Sequence, residues 1–524
     1  MIPLFTTQQV READKYAIEK LQIPGMVLME NAALSIYNEI IDTFGDFIDY
    51  QPVGIICGKG NNAGDGFAVA RHFINNGYTV KIMTVAEEKE LKGDALKNYK
   101  ILLKLLEIYT ESEIIEFEKP RDVSKLSDCA LIIDALLGTG AKGELKSPYN
   151  IIIEKINQIN SVKVAIDIPS GLNADDGSGS LIFKADLTIS LAELKRGLFI
   201  GKGYANCGEV KKGYIGIGSE YFGFQELEDY LIEPEDAIEG IPVKNVDQYK
   251  YSAGKVLVVA GSGLMPGAAI FATNSCQKIG AGAAYLAFPR SIKEVAQNNL
   301  DTAILYAYND ERREILTYDN VEEFIDKIKW ADVLALGPGL GRDIETCEAV
   351  YEILLNAGTK KCVIDADAIF ALRGGQYKNI NLKNKVFTPH HKEFSELIGV
   401  DLPKLQANLL KYGKEFVTEN KCYLVLKGAP TIVFNPEGEA LINSAGNPGM
   451  AKFGTGDVLT GIIAGLIAQS DDIESAIVTG VYIHSLSADL LLKDKTEFGF
   501  NAKDLMENLP YTINFLRNTI ERTY

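Results

Sequence analysis

The chain has 524 residues, too many for one hydrophobic core, so two domains, or three, are expected. Its formal charge of -18 and pI near 4.9 set a field of the wrong sign for non-specific nucleic-acid binding, while 47% apolar and 24% charged residues is ordinary globular composition. The seven cysteines are scattered without a CxxC pair, which argues against a zinc site or disulfide framework and fits reduced thiols. The opening MIPLFTTQQVREADK has neither a basic n-region nor an apolar h-region. The longest apolar stretch, residues 458–468, is glycine-interrupted and too short to span a bilayer. A soluble, cytoplasmic protein is therefore expected, with no membrane or nucleic-acid partner; a homo-oligomer is the expected assembly.

In chain order, short runs apolar on both faces stand at residues 52–57 (PVGIIC), 78–85, 129–133 and 162–167. Such runs predict buried strands of a parallel sheet, and the amphipathic stretches 67–76 and 150–158 predict helices between them. Residues 220–243 break this texture, being acidic, with two prolines and no sustained apolar alternation. A boundary there puts residues 1–225 in one domain and 226–524 in a second. The same grammar then restarts, with strand candidates at 255–260, 283–288, 333–336, 362–364, 386–388 and 423–426. The expected class is α/β throughout, as two domains in tandem.

Ligands of open α/β sheets bind where loops leave the carboxyl ends of strands, and three such ends in the first half are unusual. Residues 58–66 (GKGNNAGDG) form a glycine-rich turn, with a helix expected from near Phe67. Backbone N–H groups at such a turn can approach a phosphate. Three residues separate Gly60 from Gly64, so this is not the G-x-G-x-x-G dinucleotide fingerprint, and an NAD-linked dehydrogenase is disfavoured. The second end is Asp134 with the loop to Gly140 (DALLGTG), and the third is Asp167 to Gly171 (DIPSG). One strand-terminal Asp is often only a cap, but three such loops on one sheet edge point to a site.

GKGNNAGDG, DALLGTG and DIPSG, in this order and with Leu28-Met29-Glu30-Asn31 upstream, closely resemble the NAD(P)H-hydrate epimerase domain over roughly residues 1–220. The resemblance implies a Rossmann-like α/β/α sandwich. It also implies substrate contacts from Asn61, Asn62, Ala63, Gly64 and Asp65, from Gly138, Thr139, Gly140, Ala141, Lys142, Gly143 and Glu144, and from Asp167. A potassium ion held by Asn62, Asp134 and Ser170 is implied too, and such oxygen donors suit a hard cation. Asp167 is the candidate for moving protons while the hydroxyl-bearing carbon inverts. Ala63 stands where the family commonly has glycine; its methyl is tolerated if φ is negative there.

In the second half, residues 446–457 (GNPGMAKFGTGD) enter an apolar helix. Gly454 to Asp457 would present backbone donors at a positive helix end, fit for a transferring phosphoryl group, with Asp457 placed to take a hydroxyl proton. This is not a Walker loop. G-x-G-D before a late helix resembles the ribokinase-like kinases. The ordered set GSG (261–263) with GAA (267–269), GPGLG (337–341), DADA (365–368), TPH (388–390) and KGAPT (427–431) resembles the nucleotide-dependent NAD(P)H-hydrate dehydratase domain, over roughly residues 235–515. The resemblance implies AMP-moiety contacts from Lys427, Gly428, Ala429, Pro430, Thr431 and Gly456. Hydrate contacts would come from Ala269, Gly339, His390 and Asp457. Departures are Phe453, where glycine is frequent, and His391-Lys392, where Pro-Gly is usual.

The implied activity is repair of NADHX and NADPHX: epimerisation of the R and S hydrates, then dehydration of the S form using ADP or ATP, with the fusion of both domains favouring ADP. Asp365 and Asp367 could hold magnesium through water, or simply shape a strand-end turn. His72 and His484 lie in helical patterns and read as packing or surface residues. The rival reading is a small-alcohol kinase fused to a nucleotide-binding module.

Overall fold

The computed structural model describes residues 1–48, 51–140 and 143–521. Two compact units emerge: Pro3–Leu227, and Glu228–Tyr524 together with Met1–Ile2. Among the described residues the first unit carries a seven-stranded, all-parallel sheet. Its order is Glu113–Glu116, Val80–Thr84, Val53–Cys57, Leu131–Ala135, Val162–Ile166, Leu187–Leu191 and Glu209–Gly213. The central strands Val53–Cys57 and Leu131–Ala135 are buried along their whole length, which is why their sequences read as continuous apolar runs. The winding reverses between these two strands. Such a switch point leaves a crevice beyond their carboxyl ends, at the loops after Cys57 and Ala135.

The helix expected near Phe67 instead runs Asn61–Asn75, with Gly60 as its N-cap. Its early glycines are not breakers but a close-packing face. A Cβ on Gly66 would lie 2.6 Å from the Ala135 Cβ and 3.0 Å from the Cys57 sulfur. The glycine-rich stretch is thus the first turn of the helix itself, laid directly on the two switch-point strands.

The second unit has an eleven-stranded sheet among the described residues. From Ile304–Tyr308 it passes through Ala283–Pro289, Lys255–Val259, Val333–Leu336, Lys361–Ile364, Lys385–Phe387 and Tyr423–Leu426, all parallel. Thr431–Phe434 and Ala440–Asn443 follow antiparallel, then Asp229–Leu231 pairs with Ala440–Asn443, and Ile2–Pro3 ends the sheet. The acidic stretch read as a boundary therefore contains the last strand but one of this sheet and a helix, Pro234–Glu239, of this unit. Its strand is three residues long, too short for alternation to be visible.

The apolar helix Thr455–Ile467 is buried on nearly every face, hence its unbroken hydrophobicity. Gly461 lets it approach Pro266–Lys278, since a Cβ there would stand 2.2 Å from the Ala272 carbonyl oxygen. Among the described residues no helix is long and apolar enough to cross a membrane. All seven cysteines are free, and only Cys347 is not buried.

Candidate active sites

At the switch point of the first unit lies a cavity of about 800 Å³. Asn61, Asn62, Asp65, Gly138, Thr139, Gly140 and Asp167 line it, as the three-loop reading expects. Other expected residues stand elsewhere. The Ala63 methyl is fully buried in the helix, and its backbone is not in the positive-φ region, so the departure from glycine is sterically harmless. Gly64 is buried against Met29 and Ala95. Gly143 and Glu144 face a neighbouring recess of about 380 Å³ beside Gly171 and Lys202. Ala141 and Lys142 lie outside the described residues.

The sequence reading missed Arg11, Asp14, Met29 and Lys195, which complete the cavity wall. Lys195 is wholly buried, and its ammonium donates to Asp167 Oδ1 at 2.5 Å and to the Leu191 carbonyl at 2.6 Å. Asp167 itself adopts φ +66°, a left-handed turn that swings its carboxylate back toward the Leu191 amide. Arg11 donates to the Thr139 carbonyl and ties the N-terminal helix Thr7–Glu19 to the second loop. The only sequence signal for Lys195 was a basic pair, Lys195-Arg196, after the strand Leu187–Leu191.

Asn62, Asp134 and Ser170 do converge. Asp134 is fully buried and accepts from the Ser170 hydroxyl (2.8 Å), the Ser170 amide (2.7 Å) and the Leu136 amide (3.1 Å). Burial pushes its carboxyl up to about 6, against the lowering effect of those bonds. Asn62 donates to the Leu137 carbonyl at 3.0 Å, and its buried Oδ1 has no partner. An orphaned amide oxygen beside a buried carboxylate is a donor set for a cation. Among the described residues no group of three or more His, Cys, Asp or Glu side chains is placed to hold a metal, so the set is one of hard neutral oxygens with a single charge.

In the second unit, Gly454 caps the helix Thr455–Ile467 at φ +92°, a conformation that favours glycine, and turns the next amides outward at the positive helix end. Phe453 projects fully into solvent and does not fill the turn. Asp457 sits in the first helical turn, and among the described residues its carboxyl has no hydrogen-bond partner. Burial raises it to about 7, with Asp365 and Asp367 adding to the shift and Lys427 opposing it. Lys427 reaches the same turn: a Cβ on Gly456 would be 3.3 Å from its ammonium. Burial alone would lower the Lys427 pKa, but Asp365 at 2.7 Å and Glu393 hold it above its usual value.

Asp365 also accepts from Thr460 at 2.7 Å, while Asp367 accepts from the Gly341 amide and from Arg342, each at 2.9 Å. All four carboxylate oxygens thus have protein donors, which hold the two strand-end loops in place. His390 caps the helix His391–Ile398, accepting from the Glu393 amide, and bridges backbone-to-backbone with Lys427. His391 packs against the following loop, where a Gly428 Cβ would be 2.7 Å from its Nε2. Thr431 closes that loop by donating to the Gly428 carbonyl (3.2 Å), with Ala429 exposed and Pro430 buried between them. Gly339, at φ +64°, lies against Ala268 and Met265 at the start of Pro266–Lys278, while the Ala269 side chain is fully buried. His484, read as a packing or surface residue, is buried, and its ring donates to the Thr455 carbonyl at 2.9 Å and so braces the glycine turn from behind.

The two units therefore pair a carboxyl-and-lysine cavity at a doubly wound switch point with a glycine turn suited to phosphoryl transfer. Residues 25–197 match the YjeF-related protein N-terminus family, and residues 256–511 match the NAD(P)H-hydrate dehydratase family. The bifunctional NAD(P)H-hydrate repair enzyme of Moorella thermoacetica is 33% identical over 99% of this chain and 98% of its own. That of Thermofilum pendens is 32% identical over 98% and 96%. A solved structure of the ADP/ATP-dependent NAD(P)H-hydrate dehydratase of Bacillus subtilis, co-crystallised with ATP/Mg2+, matches with 26% identity and a TM-score of 0.48 over 55% of this chain and 98% of that one. The chain belongs to the family of bifunctional NAD(P)H-hydrate repair enzymes.

Proposed function

We propose that this chain returns hydrated NADH and NADPH to service, the N-terminal unit interconverting the R and S hydrates and the C-terminal unit dehydrating the S form with ADP or ATP. The observation that carries this reading is the pairing, in one chain, of a cavity walled by a lysine-paired carboxylate and a glycine turn at a helix start with its own unpaired carboxyl. In the second unit Asp457 takes the proton of the hydrate hydroxyl as that oxygen attacks the terminal phosphorus. The Lys427 ammonium and the amides after Gly454 balance the charge gathering on the phosphoryl oxygens. The ring nitrogen lone pair then expels phosphate, and loss of a proton from the adjacent ring carbon restores the dihydronicotinamide. KGAPT (427–431) with Gly456 is assigned to the nucleotide, and Gly339, His390 and the start of Pro266–Lys278 to the hydrate. Magnesium would arrive on the nucleotide phosphates.

The test is recovery of near-ultraviolet dihydronicotinamide absorbance from mixed R and S hydrates with ADP, ATP or no nucleotide. Complete, nucleotide-dependent recovery supports both activities and names the donor. Recovery that stops at the S fraction removes the epimerase, and a stable phosphorylated product instead of recovery puts the small-alcohol kinase first. Replacing Asp167 by Asn is expected to slow R–S interconversion about 100-fold or more, read by chromatography without nucleotide; near-normal rates would move the proton work to another residue.

For potassium, the ligands we assign are Asn62 through Oδ1, Asp134 and Ser170, where the ion would supply the positive charge that the buried carboxylate lacks. Saturating potassium is expected to raise the melting temperature of the full chain above that in a large organic cation, because the folded form alone binds it. Asn62→Ala should abolish the difference. Equal shifts in both proteins would remove the assignment.

A further inference from the structure

Four carboxyl groups (Asp14, Asp65, Asp94 and Asp167) and two ammonium groups (Lys59 and Lys195) stand around the cavity of the first unit, and they are not equivalent. Asp167 is ion-paired with Lys195 at 2.5 Å. Asp14, on the helix Thr7–Glu19, and Asp65, on the helix Asn61–Asn75, both line the same cavity. Among the described residues neither has an ion pair or a hydrogen-bond partner. The other charged side chains on the wall are Arg11, which donates to Thr139, and Lys59 and Asp94. Both carboxyl groups thus open on the cavity without a protein partner, where a bound ligand can meet them.

Inverting a carbon that carries both a hydroxyl and the ring nitrogen needs two proton-handling groups. One takes the hydroxyl proton, while the other protonates the nitrogen as it leaves. A lysine-paired carboxylate is suited to the first task and unsuited to the second. We propose that Asp14 is the second catalytic residue of the epimerase site, the acid that protonates the ring nitrogen while Asp167 deprotonates the hydroxyl. The assignment rests on the epimerase reading above.

The step balances without a co-reactant. Asp167 removes the O–H proton, the carbon–oxygen double bond forms, and the carbon–nitrogen pair moves to nitrogen, which takes the proton of the Asp14 carboxylic acid. The ring is then open, as an aldehyde and a secondary amine. Rotation about the carbon–carbon bond presents the other face of the aldehyde. Nitrogen re-adds, returning its proton to Asp14, and the new alkoxide recovers the proton held by Asp167. Nothing is consumed, as an epimerisation requires.

The electrostatics agree with this division of labour. Burial raises Asp14 to about 6, with Lys195 opposing and Asp167 adding to the shift, so the group can hold and release a proton near neutral pH. Asp65 is buried where Asp14 is half-buried, and that burial, with Asp167 and Asp14 adding, drives it well above the carboxylate range. Because ring opening needs Asp14 protonated, kcat/KM for the R hydrate should fall as pH rises through about 6.

The experiment follows R–S interconversion chromatographically, without nucleotide, in the full chain and its Asp14→Asn and Asp14→Glu variants across this pH range. Dehydration of the S form with ADP serves as the folding control. The expected result is a loss in kcat of about 100-fold or more in Asp14→Asn with KM little changed, disappearance of the alkaline limb, and partial rescue by Glu. Wild-type-like kcat in Asp14→Asn, or an alkaline limb that persists in it, overturns the assignment. An unmodified chain that leaves the R form untouched overturns the epimerase reading, and this assignment with it.

Discussion

Asp457→Asn is expected to lower dehydration of the S hydrate by about 10²–10⁴-fold while R–S interconversion continues at its normal rate. Asparagine keeps the size and polarity of the side chain at the helix start, so the fold and the amides after Gly454 should persist. Only the capacity to accept the hydroxyl proton is lost. The unmodified site carries a second signature. Burial and the neighbouring Asp365 raise Asp457 to about 7, and the base must be ionised to act. Dehydration should therefore rise with pH through about 7 and level off above it, a limb absent from the Asn variant. Rates with S hydrate and ADP, set beside chromatographic epimerisation, decide the matter. A variant within about 10-fold of normal would take the base role from Asp457, and loss of both activities would argue against independent sites.

Lys195→Met should both destabilise the N-terminal unit and stop epimerisation. The ammonium is fully buried and pairs with Asp167 at 2.5 Å, so its removal leaves a carboxylate in a poorly solvated wall without its counter-charge. Breaking one partner of a buried pair costs about 3–5 kcal/mol. For a unit of this size each kcal/mol shifts melting by about 2–4 °C, which gives a fall of roughly 10 °C. The double variant Lys195→Met with Asp167→Asn removes the orphaned charge as well. It should regain a large part of that loss while remaining inactive, and calorimetry of both chains beside an epimerisation assay tests the pair. If the double variant melts no higher than the single one, the pair is not the source of the stability. An active single variant would remove Lys195 from the chemistry.

These two residues also differ in how visible they are in the sequence. Asp457 stands inside GTGD at a helix entry, a local pattern whose chemistry follows from spacing alone. The parallel strands were legible for the same reason: buried on both faces, Val53–Cys57 and Val333–Leu336 write their environment as unbroken apolar runs. Lys195 and Asp14 carry no such mark. They come from a strand-exit turn and an amphipathic helix 181 positions apart (195 − 14), and each reads alone as an ordinary charged residue.

The helix starts at Asn61 rather than near Phe67 because close contact of Gly66 with Ala135 and Cys57 offsets the intrinsic cost of glycine in a helix. Likewise, DADA does not show in the sequence that Lys427, Thr460, Arg342 and the Gly341 amide all donate to Asp365 and Asp367.

By itself, then, the sequence determined the tandem α/β plan and the strand-end and helix-entry loops, whose motifs carried the resemblance to the family. These are matters of periodicity, glycine spacing and strand-end chemistry, all encoded within a dozen neighbouring residues. The tertiary structure alone decided which charges face one another: Lys195 against Asp167, Lys427 against Asp365, His484 behind Thr455, and Asp14 left open to the cavity. Those partnerships join segments far apart in the chain. What a buried charge does depends on its neighbours, so packing had to assign the roles.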